Sequence, residues 1–211
     1  MKIGGLQKLT LIDYPGKIAC TVFLAGCNYR CPWCFNPELV LPEKIKEIKQ
    51  IPEREFFKFL KERKELLEGV CITGGEPTLN SDLPEFCQKI KKIGYSIKID
   101  TNGSNPKMLK DLINRKLVDY VAMDIKAPQE KYKEAIGFKN RSFRYLLGRI
   151  NKSIDILKKE KVDYEFRTTM IPGLLGKEDI IKIVQWIEPA KDIAYKISDP
   201  EEILLMLILR I

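Results

Sequence analysis

Three cysteines stand within eight residues, in the run Gly26-Cys27-Asn28-Tyr29-Arg30-Cys31-Pro32-Trp33-Cys34. Thiolates this close in sequence can turn inward around one metal centre. Three of them leave a four-iron cluster one protein ligand short, because such clusters usually take four cysteines. An iron without a protein thiolate is an open coordination position, where metal chemistry rather than bracing takes place. Two other frameworks use the same residue type. A structural zinc site needs a fourth Cys or His. The chain has no histidine, so that ligand would be Cys20, Cys71 or Cys87. A disulfide knot suits a small secreted domain, whereas 211 residues bury an ordinary core and no signal peptide precedes the cysteines.

Other chemistry-bearing residues recur at regular places. Apolar, β-branched runs at 17–25, 70–73, 95–100, 120–124, 163–169 and 193–197 predict strands. Helical patterns at 52–67, 83–93, 106–115, 143–159 and 177–186 fall between them, with Pro52 and Pro106 suited to first-turn positions. This alternation predicts an α/β fold with parallel strands and crossover helices. The cysteine loop follows the first strand and Thr73-Gly74-Gly75-Glu76-Pro77 the second. Asp100, Thr101 and Asn102 end the third, Asp124 and Lys126 the fourth, and Arg167 marks the fifth. In βα barrels the C-terminal strand ends carry the active site. Six such units predict an incomplete (β/α)6 TIM-like barrel, open on one side. One domain is expected over residues 1–211, with a core of about 17–197 and an atypical tail at 198–211.

Composition narrows the function classes. Apolar residues make up 45% and charged residues 31%, and 37 Lys and Arg against 29 Asp and Glu give a formal charge of +8. The basic residues are interleaved with acids, as in Lys44-Ile45-Lys46-Glu47, which reads as a solvated mixed surface rather than a nucleic-acid footprint. No run reaches the ~20 apolar residues that span a bilayer, the longest candidate being residues 203–209. No membrane partner and a cytoplasmic, reducing setting are therefore expected. Cys20, Cys71 and Cys87 lie in apolar or helical patterns and read as small buried hydrophobes.

A CxxxCxφC loop after the first strand, with Trp33 at the aromatic position and Gly-Gly-Glu-Pro after the second, resembles the radical S-adenosylmethionine (SAM) superfamily. Within it, Thr10-Leu11-Ile12-Asp13-Tyr14-Pro15-Gly16-Lys17, Cys34-Phe35-Asn36-Pro37-Glu38-Leu39 and Arg167-Thr168-Thr169-Met170-Ile171-Pro172-Gly173 are similar to the anaerobic ribonucleotide reductase activating proteins and other glycyl-radical-enzyme activases. The resemblance spans roughly residues 4–190. Three departures stand out: Phe35 follows the third cysteine where His is common, Leu174-Leu175-Gly176 replaces a region that often carries His, and the ending from Lys196 differs.

The resemblance implies a 4Fe–4S cluster on Cys27, Cys31 and Cys34, whose fourth iron takes the amino and carboxylate groups of SAM. One electron then breaks the C5′–S bond, and the 5′-deoxyadenosyl radical abstracts a hydrogen atom. Gly74 and Gly75 would admit the methionine end, with Glu76 accepting from its ammonium group. Trp33, Cys34 and Phe35 would border the adenine. Asp100, Thr101 and Asn102 would face the ribose, and Asp124 with Lys126 the carboxylate or the far side of the nucleoside. Arg167 would pair with Glu76 or another carboxylate, in ligand binding or as a bridge across the barrel mouth. The implied partners are a glycyl radical enzyme, above all anaerobic ribonucleotide reductase, and a low-potential electron donor such as flavodoxin or ferredoxin. A small-molecule radical SAM enzyme of cofactor or modified-base synthesis shares these core motifs, and a non-enzymatic zinc or iron–sulfur module is the third reading.

Overall fold

In the computed structural model, residues 1–139, 142–159, 161–190, 192–197 and 207–210 are described. The strands are β1 (Ile3–Thr10), β2 (Ala19–Leu24), β3 (Gly69–Gly74), β4 (Ser96–Thr101), β5 (Tyr120–Asp124), β6 (Asp163–Met170), β7 (Asp192–Ile197) and β8 (Leu207–Arg210). They form one sheet in sequence order. β2 to β7 pair in parallel, as expected, while β1 and β8 lie antiparallel at the two edges. Among the described residues the edges do not pair with each other, and the barrel is open.

Helices α1 (Pro42–Ile45) and α2 (Glu53–Glu62) precede β3, and α3 (Leu83–Ile93) and α4 (Pro106–Asn114) lead to β4 and β5. The short α5 (Tyr132–Ala135) and long α6 (Phe143–Leu157) lead to β6, and α7 (Lys177–Ile187) leads to β7. The parallel strands are nearly continuous apolar runs because both faces are covered. Helical spacing supplies the cover. In α3 the buried Leu83, Phe86, Cys87 and Ile90 recur at one face, and Phe86 stacks on Phe56 of α2 with ring centroids 5.4 Å apart. Gly94 at φ +107° ends α3 in the left-handed conformation that glycine adopts without a Cβ clash.

The sequence pattern does not reveal β1. Its two glycines weaken a strand signal, but a Cβ on Gly4 would lie 2.4 Å from Leu39, so that glycine makes room for the chain leaving the cysteine loop. Residues 11–18 then run to the N-terminal ends of the strands. There Tyr14 is buried against Gly69 and packs near Tyr120, with ring centroids 6.1 Å apart. Of the tail, residues 198–206 and 211 lie outside the described residues, and 207–210 form β8. Among the described residues no helix is long and apolar enough to cross a membrane.

Candidate active site

A cavity of about 620 Å³ opens at the C-terminal strand ends and reaches into the barrel. Cys27, Cys31 and Cys34 line it, together with Trp33, Phe35, Gly74, Gly75, Asp100, Thr101, Asn102, Asp124, Lys126 and Arg167. Thus every predicted site residue but Glu76 borders one space. Cys20, Cys71 and Cys87 are buried with free thiols and are not part of that lining, although Lys98 Nζ approaches Cys71 Sγ at 3.9 Å.

The cysteine loop is held by its own backbone. Gly26 N–H donates to Leu39 O at 2.7 Å and Arg30 N–H to Ile136 O at 2.9 Å. The Arg30 guanidinium donates to the carbonyls of Cys27 and Tyr29 at 2.8 and 2.7 Å. The three thiols are free and half-buried. Burial pushes the Cys27 thiol up to about 11, with the Tyr29 N–H, 3.4 Å from its sulfur, pulling the other way. Burial also raises Cys31, against the attraction of Lys126. A bound metal reverses this balance, because it takes the thiolate and releases the proton.

The glycine turn abuts this loop directly. Gly75 N–H donates to Leu24 O at 2.8 Å, and Glu76 N–H to Gly26 O at 2.7 Å. A Cβ on Gly75 would sit 2.0 Å from Gly26 O, and one on Gly74 2.5 Å from Leu24 N and O. The glycines therefore serve the contact between two loops of the protein. Glu76 is equally inward. Only 1% exposed, its carboxylate accepts from Thr78 N–H at 3.1 Å, the Thr78 hydroxyl, the Thr101 hydroxyl at 2.7 Å and Asn102 N–H at 2.6 Å. Burial raises its pKa while those donors oppose the rise. Its partners are the ends of neighbouring strands, and Arg167 is not among them.

Arg167 instead bridges two aspartates, 3.2 Å from Asp100 Oδ2 and 3.2 Å from Asp124 Oδ1. Lys126 adds a second cation to Asp124 at 2.9 Å. Burial alone would raise the Asp124 carboxyl, but Lys126 and Arg167 outweigh it and hold it at about 2. Asp100 is lowered in the same way by Arg167 and Lys98, against burial. Asn102 spends its amide on the protein: Nδ2 donates to Asn28 Oδ1 at 3.0 Å and approaches Cys27 Sγ at 3.9 Å, and Oδ1 accepts from Ser104 N–H at 2.9 Å.

Sequence reasoning missed Lys98, a lysine only 1% exposed that bonds Asp100 and lines the cavity, and Glu165 beside Arg167. The signal was there. Strand side chains alternate faces, so Lys98 shares a face with Asp100, and Glu165 with Arg167.

The donor set fits an iron–sulfur cluster with a nucleoside ligand. The thiols belong to one loop beside the cavity, and the volume lies within the roughly 300–1,000 Å³ of small-molecule sites. Among the described residues no three Cys, Asp or Glu side chains close on a point as they would around a single ion; a four-iron cube holds its thiolates further apart.

The sequence signature described as "Radical SAM superfamily" matches residues 21–187. The chain belongs to that superfamily. A Methanocaldococcus jannaschii protein provisionally named a glycyl-radical enzyme activating enzyme is 35% identical over 95% of this chain and 81% of its own length. The 7-carboxy-7-deazaguanine synthase of Thermoplasma acidophilum is 32% identical over 66% of this chain and 60% of its own. Among solved structures, TYW1 with a lysine-pyruvate adduct superposes with a TM-score of 0.62 at 23% identity, covering 90% of this chain and 68% of that one. The superfamily's cofactors are a 4Fe–4S cluster and SAM, and the chain is an enzyme of this radical SAM kind.

Proposed function

We propose that this radical SAM protein is an activase, which removes a hydrogen atom from a glycine of a partner glycyl radical enzyme. The observation that carries this reading is the match to the M. jannaschii activating enzyme, which runs through nearly the whole of this chain and most of that one. The match to the deazaguanine synthase stops at about two thirds of each. The cavity supports the same reading. At the mouth its lining includes Trp33 and Phe35, and Phe35 is 63% exposed. A polypeptide loop meets an aromatic rim there.

Cys27, Cys31 and Cys34 would hold the cluster, and the strand-end groups would orient SAM. When bound, these cofactors supply the electron and the carbon radical that take the hydrogen atom. The protein's own part is positional. Arg30 fixes the loop carbonyls, Glu76 ties the glycine turn to β4, and Arg167 and Lys126 keep Asp100 and Asp124 ionised. Lys98, Lys126 and Arg167 are matched by Asp100, Asp124 and Glu165, and of these cations Lys126 and Arg167 border the strand ends, where the carboxylate of an amino-acid head group would meet them. Anaerobic ribonucleotide reductase is the partner we favour, with flavodoxin or ferredoxin as donor, because the flanking segments at 10–17 and 34–39 are similar to that group of activases.

The test is anaerobic incubation of the reconstituted protein with reductant, SAM and the large subunit of an anaerobic ribonucleotide reductase. A glycyl-radical doublet in the paramagnetic resonance spectrum, with stoichiometric 5′-deoxyadenosine, is expected. Release of 5′-deoxyadenosine with no radical on any glycyl radical enzyme would favour a small-molecule substrate.

A further inference from the structure

Among the described residues two buried side-chain polar atoms lack a hydrogen-bond partner, the hydroxyls of Tyr29 and Tyr132. Buried hydroxyls are nearly always partnered, and these two share one corner of the molecule. Tyr29 lies between Cys27 and Cys31, is 2% exposed and lines the cavity. Tyr132 belongs to α5, on which the cysteine loop is seated. Arg30 N–H bonds Ile136 O just past that helix, and a Cβ on Gly137 would lie 2.1 Å from Arg30 O. Both hydroxyls lack a partner among the described residues, but of the two side chains only Tyr29 lines the cavity. Tyr29 and the thiols of Cys27, Cys31 and Cys34 border the same cavity.

We propose that the Tyr29 hydroxyl donates a hydrogen bond to a sulfur of the cluster held by Cys27, Cys31 and Cys34, and thereby sets its reduction potential. The proposal rests on the reading that this loop holds the cluster. A phenol is a ready O–H donor, and hydrogen bonds to the sulfurs are one of the levers on cluster potential. Reduction adds negative charge to those sulfurs, so a donor stabilises the reduced form and raises the potential. The backbone N–H of Tyr29 already donates to Cys27 Sγ at 3.4 Å. The residue would therefore serve the centre with both its amide and its side chain. Tyr29 would be a tuning residue, acting through the cluster rather than on substrate.

The experiment compares wild type with Tyr29→Phe and with a protein carrying difluorotyrosine at position 29, each reconstituted anaerobically. Iron and sulfide content and a paramagnetic-resonance redox titration are measured. Tyr29→Phe should bind wild-type iron and titrate at a more negative midpoint, with about tenfold less reduced cluster at a fixed potential, or ~59 mV for one electron. The more acidic difluorotyrosine, a stronger donor, should move the midpoint the other way. The metal-free Phe variant should unfold in urea no earlier than wild type, since the hydroxyl holds no protein group. A wild-type midpoint in the Phe variant, or both proteins shifting in one direction, overturns the proposal. If the Phe variant takes up no iron, the difluorotyrosine protein decides alone. Wild type that takes up no iron overturns the cluster reading itself.

Discussion

Replacing Gly75 by alanine tests whether the glycine turn and the cysteine loop act as one unit. Gly75 has no left-handed φ, so an alanine there meets no backbone strain. What it meets is Gly26 O at 2.0 Å and Gly26 C at 2.6 Å. Ordinary contacts between non-bonded carbons are about 3.5 Å or more, so the two backbones must part by roughly 1.5 Å. The bonds at 2.8 Å from Gly75 N–H and 2.7 Å from Glu76 N–H would then open beyond the ~3.2 Å of a real hydrogen bond. Two lost bonds cost about 1–3 kcal/mol together, and overpacking adds about 1–3 kcal/mol. We expect a loss of about 2–6 kcal/mol in urea unfolding of the metal-free protein. Iron uptake should also fall, because the displaced carbonyl lies one residue before Cys27. The two assays are a urea titration followed by fluorescence and iron per chain after anaerobic reconstitution. A Gly75→Ala protein with the wild-type urea midpoint and wild-type iron would refute the reasoning.

Four further outcomes follow from the same geometry. Alanine at Cys27, Cys31 or Cys34 should each abolish cluster absorbance, whereas Cys20→Ala, Cys71→Ala and Cys87→Ala should keep it; iron analysis separates the two groups. Glu76→Gln keeps volume but turns an amide N–H₂ toward an N–H or hydroxyl donor, so unfolding stability should drop by about 1–3 kcal/mol, with SAM affinity measured by calorimetry weakened only through the displaced turn. Arg167→Gln should cost about 2–3 kcal/mol, less than the roughly 3–5 kcal/mol for a fully buried pair because its side chain is 25% exposed. In wild type the stability owed to Asp124 is present above the ordinary carboxyl range and lost as pH falls toward about 2; in Arg167→Gln that contribution should be smaller and its loss complete at a higher pH, seen by acid titration. Despite the +8 charge, duplex DNA should bind only weakly at physiological salt, and submicromolar affinity by fluorescence anisotropy would contradict the mixed-surface reading.

The central fold was legible because parallel strands covered on both faces are written as apolar runs, and runs such as residues 70–73 and 120–124 have few other uses. The edges were not. β1 carries Gly4 and Gly5, exposed Gln7 and Lys8, and no strict alternation, so its strand state comes from pairing with β2 rather than from propensity. Residues 63–67 continue the helical pattern of α2 in sequence but lie beyond its end at Glu62, where the chain turns toward Gly69 and tertiary context overrides propensity.

The site was legible for a reason that lies in the connectivity. β2 and β3 are neighbours in parallel register, Leu24 opposite Gly74, so loops that follow them emerge side by side. Two motifs separated by some forty residues in sequence (Cys34 to Gly74) therefore become one backbone-bonded pair. Residue type announces a polar strand end but not which way its valences are spent. Glu76, Asp100 and Asp124 look alike in sequence, all carboxylates at strand ends. In space Glu76 is consumed by four donors from the turn and from β4, while the two aspartates are held by cations that also face the cavity. That division depends on which side chains the strand parity sets opposite them, Lys98 and Arg167 above all. Parity was the readable but unread clue. Extended to the remaining strands, it assigns Thr21, Phe23, Thr73 and Glu165 to the same inward face as Lys98, and all four line the cavity.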